Sequence, residues 1–281
     1  MLSFEADALS WHPGRMSPAR TARALARETI TREILDAARA RLAVDGAAGL
    51  SLRAVARDVE MVSSAVYRYF PSRDALLTAL LVEAYDELGA AVESAEGAVA
   101  DRADTAARWS AAFRAAREWS VAHPAEFSLL YGTPVPGYAA PRTTVGPATR
   151  VITVLVRIAG DAFAAGARPV VVPAGTADGP GTVAPALDHL AEHGLVGADV
   201  LADDAFAETL RRVLVAWTTL FGTISFELFG HLVGSVSDTA GWADEVAARF
   251  AADLGMTVRP LRAARDASPG RMHATRRGSA R

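Results

Sequence analysis

Cysteine is absent from all 281 residues, aromatic side chains make up only 7%, and every one of the 29 basic residues is arginine. Without cysteine there is no disulfide, no thiolate zinc site and no thiol nucleophile, which fits a reducing compartment. The exclusive use of arginine is what a GC-rich genome produces and carries no functional weight. No apolar run approaches the roughly eighteen residues of a membrane span, and residues 1–15 lack a basic start followed by an apolar core. The expectation is a cytosolic protein with no membrane partner. Hydrophobic residues at 51% and charged ones at 22% describe a globular chain with ample material for a core.

The net charge of −3 hides an uneven distribution. Residues 15–75 hold 11 Arg against 7 acids, residues 76–258 hold 11 Arg against 22 acids, and residues 259–281 hold 7 Arg against 1 acid. A basic head on an acidic body directs the head toward a polyanion. The Arg-rich tail has no apolar period and is expected to be disordered, adding nonspecific DNA affinity. Residues 1–26 form a basic lead-in, within which the arm from Ser17 to Arg27 carries Arg20, Arg23 and Arg27 with Arg15 just before it. It reads either as extra phosphate contact or as a solvated, disordered arm. Met16 is a candidate start alongside Met1.

The chain is organised around Ser51 to Leu77, SLRAVARDVEMVSSAVYRYFPSRDALL. Ser51 is a candidate N-cap, and Leu52, Val55, Ala56 and Val59 recur at helical spacing. After Glu60 and Met61 a second short helix opens at Ser63 or Ser64. Val62, Val66 and Phe70 are expected on its buried face, with Pro71 as its stop. Two short helices joined by about three residues predict a helix-turn-helix, whose second member enters the major groove. Its exposed Ser, Tyr and Arg side chains suit phosphate oxygens and base edges.

The string AVARDVEMVSSAVYRYFPSRDALLTAL resembles the DNA-binding signature of the TetR-type transcriptional regulators over about residues 29–90. The resemblance implies base contacts from Arg53, Ser63 and Ser64, and phosphate contacts from Ser51, Tyr67, Tyr69 and Arg73. One departure is Glu60, standing where the family usually has glycine, which implies either a residue held at φ > 0 at some cost or a reshaped turn, and adds a negative charge near DNA. The segment HPAEFSLLYGTPVPGY also resembles the C-terminal regulatory domain of one TetR-type subfamily. A Trp, His, Gly pattern marks that subfamily's later helix. Here Trp217, Gly222 and His231 stand near such positions, but Phe221 precedes the glycine.

The predicted fold is all-α: a helix-turn-helix DNA-binding domain over 27–75 and a helical ligand-binding and dimerisation domain over 76–258. A first helix spans about Arg27 to Val44, stopped by Gly46, and a long helix from Arg73 to about Glu96 joins the two domains. Trp109, Phe113, Trp119, Phe127, Tyr131, Phe163 and Trp217 are candidate pocket residues, with core packing as the alternative reading of each. Asp203 to Leu232 is apolar nearly all round, so it must be covered on more than one side. With Trp242 to Leu254 it predicts half of an intersubunit four-helix bundle, as the resemblance also implies, with Leu214, Phe221, Gly222, Ser225, Leu228 and Leu232 at the dimer contact. Glu227 and His231, four apart, read as a buried pair. Residues 168–185, rich in Pro and Gly, read as a mobile loop that lacks the lysine of a phosphate loop.

His189, Glu192 and His193 spell H-x-x-E-H, the inverted zinc-peptidase pattern, but no third ligand or enclosed setting accompanies it. No G-x-S-x-G elbow is present. These readings combine into a homodimeric transcriptional regulator, not an enzyme and without cofactor or metal. It is expected to repress by binding a palindromic double-stranded operator until a small hydrophobic effector releases it. The alternatives are a DNA-binding regulator with no effector and a helical enzyme carrying a DNA-binding head.

Overall fold

The computed structural model describes residues 18–170 and 180–257. The expectations for the Arg-rich tail, the first residues of the lead-in and most of the glycine-rich loop lie outside the described residues. Among the described residues the architecture is all-helical: α1 (Pro18–Gly49), α2 (Leu52–Asp58), α3 (Ser63–Val66), α4 (Arg73–Gly97), α5 (Thr105–Ala122), α6 (Pro124–Tyr131), α7 (Val145–Ala164), α8 (Ala184–Glu192), α9 (Ala198–Leu201), α10 (Phe206–Leu228) and α11 (Thr239–Asp253).

Residues 18–26 correct the expected disordered lead-in, because α1 already begins at Pro18. The run ARTARALARE is built from strong helix formers, so propensity extends the helix beyond its buried stripe. Gly46, with φ 67° and ψ 171°, breaks the helix where a glycine stop was expected. Ile34, Ala38 and Leu42, spaced by four, form the buried stripe of α1.

Two apolar clusters divide the chain. The head cluster joins Ile34, Leu35 and Ala38 of α1, Leu52, Val55 and Ala56 of α2, Val66, Phe70, and Leu76, Leu77 and Leu80 of α4. The body cluster begins further along α4 with Ala84, Leu88 and Val92 and runs through α5, α6, α7, α10 and α11. One continuous helix therefore contributes its first half to the head and its second to the body. Ser72 opens α4 by accepting a hydrogen bond from the Ala75 N–H, which satisfies one of the otherwise open first-turn donors.

In the body, α4 and α7 approach closely at Gly89, where a Cβ would lie 2.7 Å from Arg150 Nε. Arg150 fills that space and donates to Glu93 and Asp86 on either side of the glycine. Arg108 of α5, only 5% exposed, donates to Glu96 of α4, to Asp161 of α7 at 2.7 Å and to the Arg102 carbonyl. Three helices converge on this one guanidinium. Burial would raise the Glu96 carboxyl, but hydrogen bonds from Arg108 and Arg102 hold it below the ordinary carboxylate value.

α6 belongs to both halves. Its Phe127 is fully buried in the body cluster, while Leu129 packs on the head cluster together with Val135 and Tyr138 of the following Pro/Gly segment. The Tyr138 and Thr78 hydroxyls lie 2.9 Å apart, tying that segment to α4. Arg39 of α1 adds a polar link, donating to Glu87 and lying 3.5 Å from Glu83 and from Glu126 of α6.

Candidate nucleic-acid interface

The turn between α2 and α3 is decided by Glu60. Its φ of 54° places it in the left-handed region, the first of the two outcomes its position in the family signature left open. The Glu60 N–H donates to the Arg57 carbonyl and the Met61 N–H to the Ala56 carbonyl. This pair of reverse bonds is the Schellman ending, which normally takes glycine at the left-handed position. Met61 then folds back onto the head cluster. A side chain in that conformation costs roughly 1–2 kcal/mol. Glu60→Gly is therefore expected to stabilise the head by about 0.5–1 kcal/mol after the added unfolded-state entropy of glycine, and to tighten DNA binding by removing a carboxylate. Urea unfolding and a DNA titration check both parts; a destabilised variant would contradict this account of the turn.

α3 is shorter than the sequence implies. It spans Ser63–Val66, and Tyr67, Arg68 and Tyr69 continue in turns, with Tyr69 and Phe70 both donating to the Val66 carbonyl. Val66 and Phe70 are buried as expected, but Val62 is 70% exposed, contrary to its predicted place on the buried face. Val62 is the N-cap, with extended backbone at φ −66° and ψ 140°, so its side chain falls outside the helical stripe that Val66 begins.

The outer surface collects most of the anticipated contact residues. Ser51 caps α2 by backbone geometry alone, and its hydroxyl makes no cap bond. Arg53, Ser64 and Tyr67 are exposed and Ser63 half-buried; among the described residues none of these side chains has a hydrogen-bond or ion-pair partner. Tyr69 is half-buried, its ring packed on the head cluster and covered by the Arg27 guanidinium at 5.0 Å. Arg27 also donates to the Arg68 carbonyl, bracing the end of the recognition segment. Arg68, which the resemblance did not single out, adds an exposed guanidinium to the same segment.

Arg73 has a role within the head that the resemblance did not imply. Its guanidinium donates to the carbonyls of Leu50 at 2.9 Å, Ala47 at 2.7 Å and Ala48 at 3.0 Å. It satisfies the open carbonyls where α1 ends, so it braces the head from within.

None of the candidate pocket aromatics lines a cavity of about 740 Å³ found in the body. Trp109, Phe113, Trp119, Phe127 and Phe163 are buried in the body core. Tyr131 and Trp217 are half-buried, and the Tyr131 ring stacks on Phe221 at 4.0 Å. That cavity lies elsewhere, between the end of α4, the start of α5, α7 and residues 194–200. Its lining includes Glu93, Glu96, Arg102, Arg108, Arg157 and Asp161, so it is charged where an apolar pocket was anticipated.

The residues expected at the dimer contact differ in their exposure. Phe221 is 6% exposed and points into its own body core, while Leu214, Ser225, Leu228 and Leu232 are half-buried. The open face of α10 carries Val215, Thr218, Gly222 and Phe226, continued by the C-cap residue Phe229, with Trp242 exposed on α11. Only Gly222 was anticipated there, and a Cβ added to it would meet nothing within 4 Å. The spacing of 215, 218, 222, 226 and 229 follows three- and four-residue steps that the sequence already contained. Two apolar stripes on one helix hid it, because neither could be assigned to a side without the fold.

Glu227 also departs from its expected pairing. It accepts both Arg117 bonds and one from Thr239, while His231 is exposed with its ring 5.1 Å from Phe226. The His189 and His193 rings lie 4.1 Å apart on an exposed face. Among the described residues no group of three or more His, Asp or Glu side chains could hold a metal ion. No helix among them is long and apolar enough to cross a membrane.

Comparison with known proteins agrees with this geometry. Residues 34–80 match the family described as bacterial regulatory proteins, tetR family, and residues 109–254 match the tetracyclin repressor-like C-terminal domain. The HTH-type transcriptional regulators Rv1816 of Mycobacterium tuberculosis and Mb1846 of Mycobacterium bovis are each 42% identical over 213 residues, covering 73% of this chain and 83% of theirs. The solved structure of SCO4313 is 29% identical with a TM-score of 0.61, covering 84% of this chain and 98% of its own. A protein from Rhodococcus sp. RHA1 is 26% identical with a TM-score of 0.58, covering 80% and 95%. An exposed helix-turn-helix face, a helical body joined to it by one long helix, and matches over both parts make this chain a transcriptional regulator of the TetR family.

Proposed function

We propose that the protein is a cytosolic, homodimeric repressor that binds a palindromic operator with two copies of α3 and leaves it when a small hydrophobic effector enters the body. The observation that carries the DNA-binding part is the set of unpartnered polar side chains on the helix-turn-helix, Ser51, Arg53, Ser63, Ser64 and Tyr67. Such groups satisfy nothing within the head, whereas hydroxyls and guanidiniums match phosphates and base edges. Selection of bound DNA from a random pool at two salt concentrations tests it, since nonspecific binding falls steeply with salt. A palindrome surviving high salt is the expected result. Arg53→Ala should then relax preference at one position of each half-site, with a loss of about 1–3 kcal/mol. Unchanged preference in that variant would remove Arg53 from the base-reading set.

Dimerisation through α10 and α11 is supported by the open apolar stripe, which a solvated monomer has no reason to retain. A twofold interface uses the same patch on both copies, so one stripe serves both sides. The two-helix layer then becomes a four-helix bundle.

Effector response is supported by how α6 is held. Tyr131 at its end stacks on Phe221 of α10 and meets the Tyr85 edge, while the next residues pack on the head. Burial pushes the Tyr131 hydroxyl well above the ordinary tyrosine value. The Trp217 indole Nε1 is buried without a partner, so an apolar ligand carrying a hydrogen-bond acceptor suits this aromatic group. A ligand separating Tyr131 from Phe221 shifts α6 and, through Leu129, Tyr138 and Arg39, the head. It favours release only if it binds the shifted conformer more tightly. Screening apolar compounds for release of the selected operator tests this part.

A further inference from the structure

Val62 sits at the N-cap of α3, where Ser, Thr, Asp or Asn would bond an open backbone N–H and valine bonds none. Nor does it serve the core: it is 70% exposed, while Val66 and Phe70 of the same segment are buried in the head cluster. Neither local structure nor packing rewards a valine here. Residues that break local rules without an internal gain concentrate at functional surfaces.

Its neighbours indicate what that surface meets. Ser63 and Ser64 follow it directly, and Tyr67, 45% exposed, stands one turn on. All belong to the unpartnered face of a head in which Arg outnumbers acids 11 to 7 over residues 15–75. Among the groups that the major groove displays, the one suited to a valine is the C5-methyl of thymine. Valine is also stiff at χ1, so its two methyl groups are held in a narrow range of directions at little entropic cost. We propose that Val62 reads the C5-methyl of one thymine in each operator half-site. The inference rests on the operator binding proposed above and adds to it a residue at which only shape and apolar contact discriminate.

Deoxyuridine differs from thymidine by that methyl alone, which provides the test. Each symmetry-related thymine pair of the selected operator is replaced by deoxyuridine, and affinities are measured for the wild-type chain and for Val62→Ser. One pair is expected to weaken wild-type binding about fourfold per methyl lost, and Val62→Ser should bind thymine and uracil versions of that operator equally. Serine supplies the missing N-cap, so the thermal midpoint of Val62→Ser should hold or rise, separating lost contact from lost folding. Full thymine preference retained by Val62→Ser, or no sensitive pair with the wild type, overturns the assignment. Failure to recover any operator from the random pool sinks the operator reading itself, and this inference with it.

Discussion

Phe226→Arg is expected to yield a folded monomer whose affinity for the selected operator has fallen about a hundredfold or more. Phe226 is 54% exposed in the middle of the open α10 stripe, flanked by Gly222 and Phe229. Because a twofold contact repeats the substitution on both copies, two guanidiniums would face one another across a desolvated surface. The half-sites would then be bound independently, losing the effective concentration that joins them. The head is untouched, so nonspecific binding at low salt should survive. Analytical ultracentrifugation and an operator titration measure the two effects; a variant that remains dimeric would show that this stripe is not the interface.

Arg108→Met is expected to destabilise the protein by about 3 kcal/mol. That corresponds to a fall of roughly 6–12 °C in the thermal midpoint for a domain of this size. Methionine retains much of the apolar volume, so the loss reports the ion pairs. Arg108 joins α4, α5 and α7 through Glu96 and Asp161, and its removal leaves Glu96 largely buried with Arg102 alone. The lower end of the expected range applies because Asp161 is half in water. The pH dependence has a definite sign. The folded-state value of Glu96 lies below its ordinary 4.5, so its contribution is present above that value and is lost as pH falls through the lower, folded value. In the variant burial is opposed by Arg102 alone, so the Glu96 carboxyl lies higher than in the wild type. The stability gap between the two proteins should therefore narrow below about pH 4.5. Equal midpoints at pH 7 would mean that the three-helix junction is held by packing alone.

The head was legible because its constraints are local. The spacing of Leu52, Val55 and Ala56 and the stop at Pro71 follow from residues within one or two turns of each other, while the left-handed Glu60 was implied, as one of two outcomes, by the resemblance alone. The bracing role of Arg73 was not legible because its partners, the carbonyls of Ala47, Ala48 and Leu50, lie more than twenty residues away. Val62 was misplaced because a step of four to Val66 reads as one face only while the chain remains helical, and the helix begins after it. In the body, Phe221 and Phe226 are equally apolar in sequence. Only the packing of Tyr131 against Phe221 decides which of them faces inward.

By itself the sequence determined the helical class, the basic head, the turn that sets α3 against α2, and the long α4 that joins two apolar clusters. Periodicity, turn chemistry and charge act over short stretches of chain, so they can be read from one. What the tertiary structure alone decided was direction: which stripe of α10 is left open, which hydroxyls and guanidiniums on the head remain without partners, and that α6 is shared between head and body. Those outcomes depend on helices distant in sequence competing for the same surface, and no local pattern records which of them prevails.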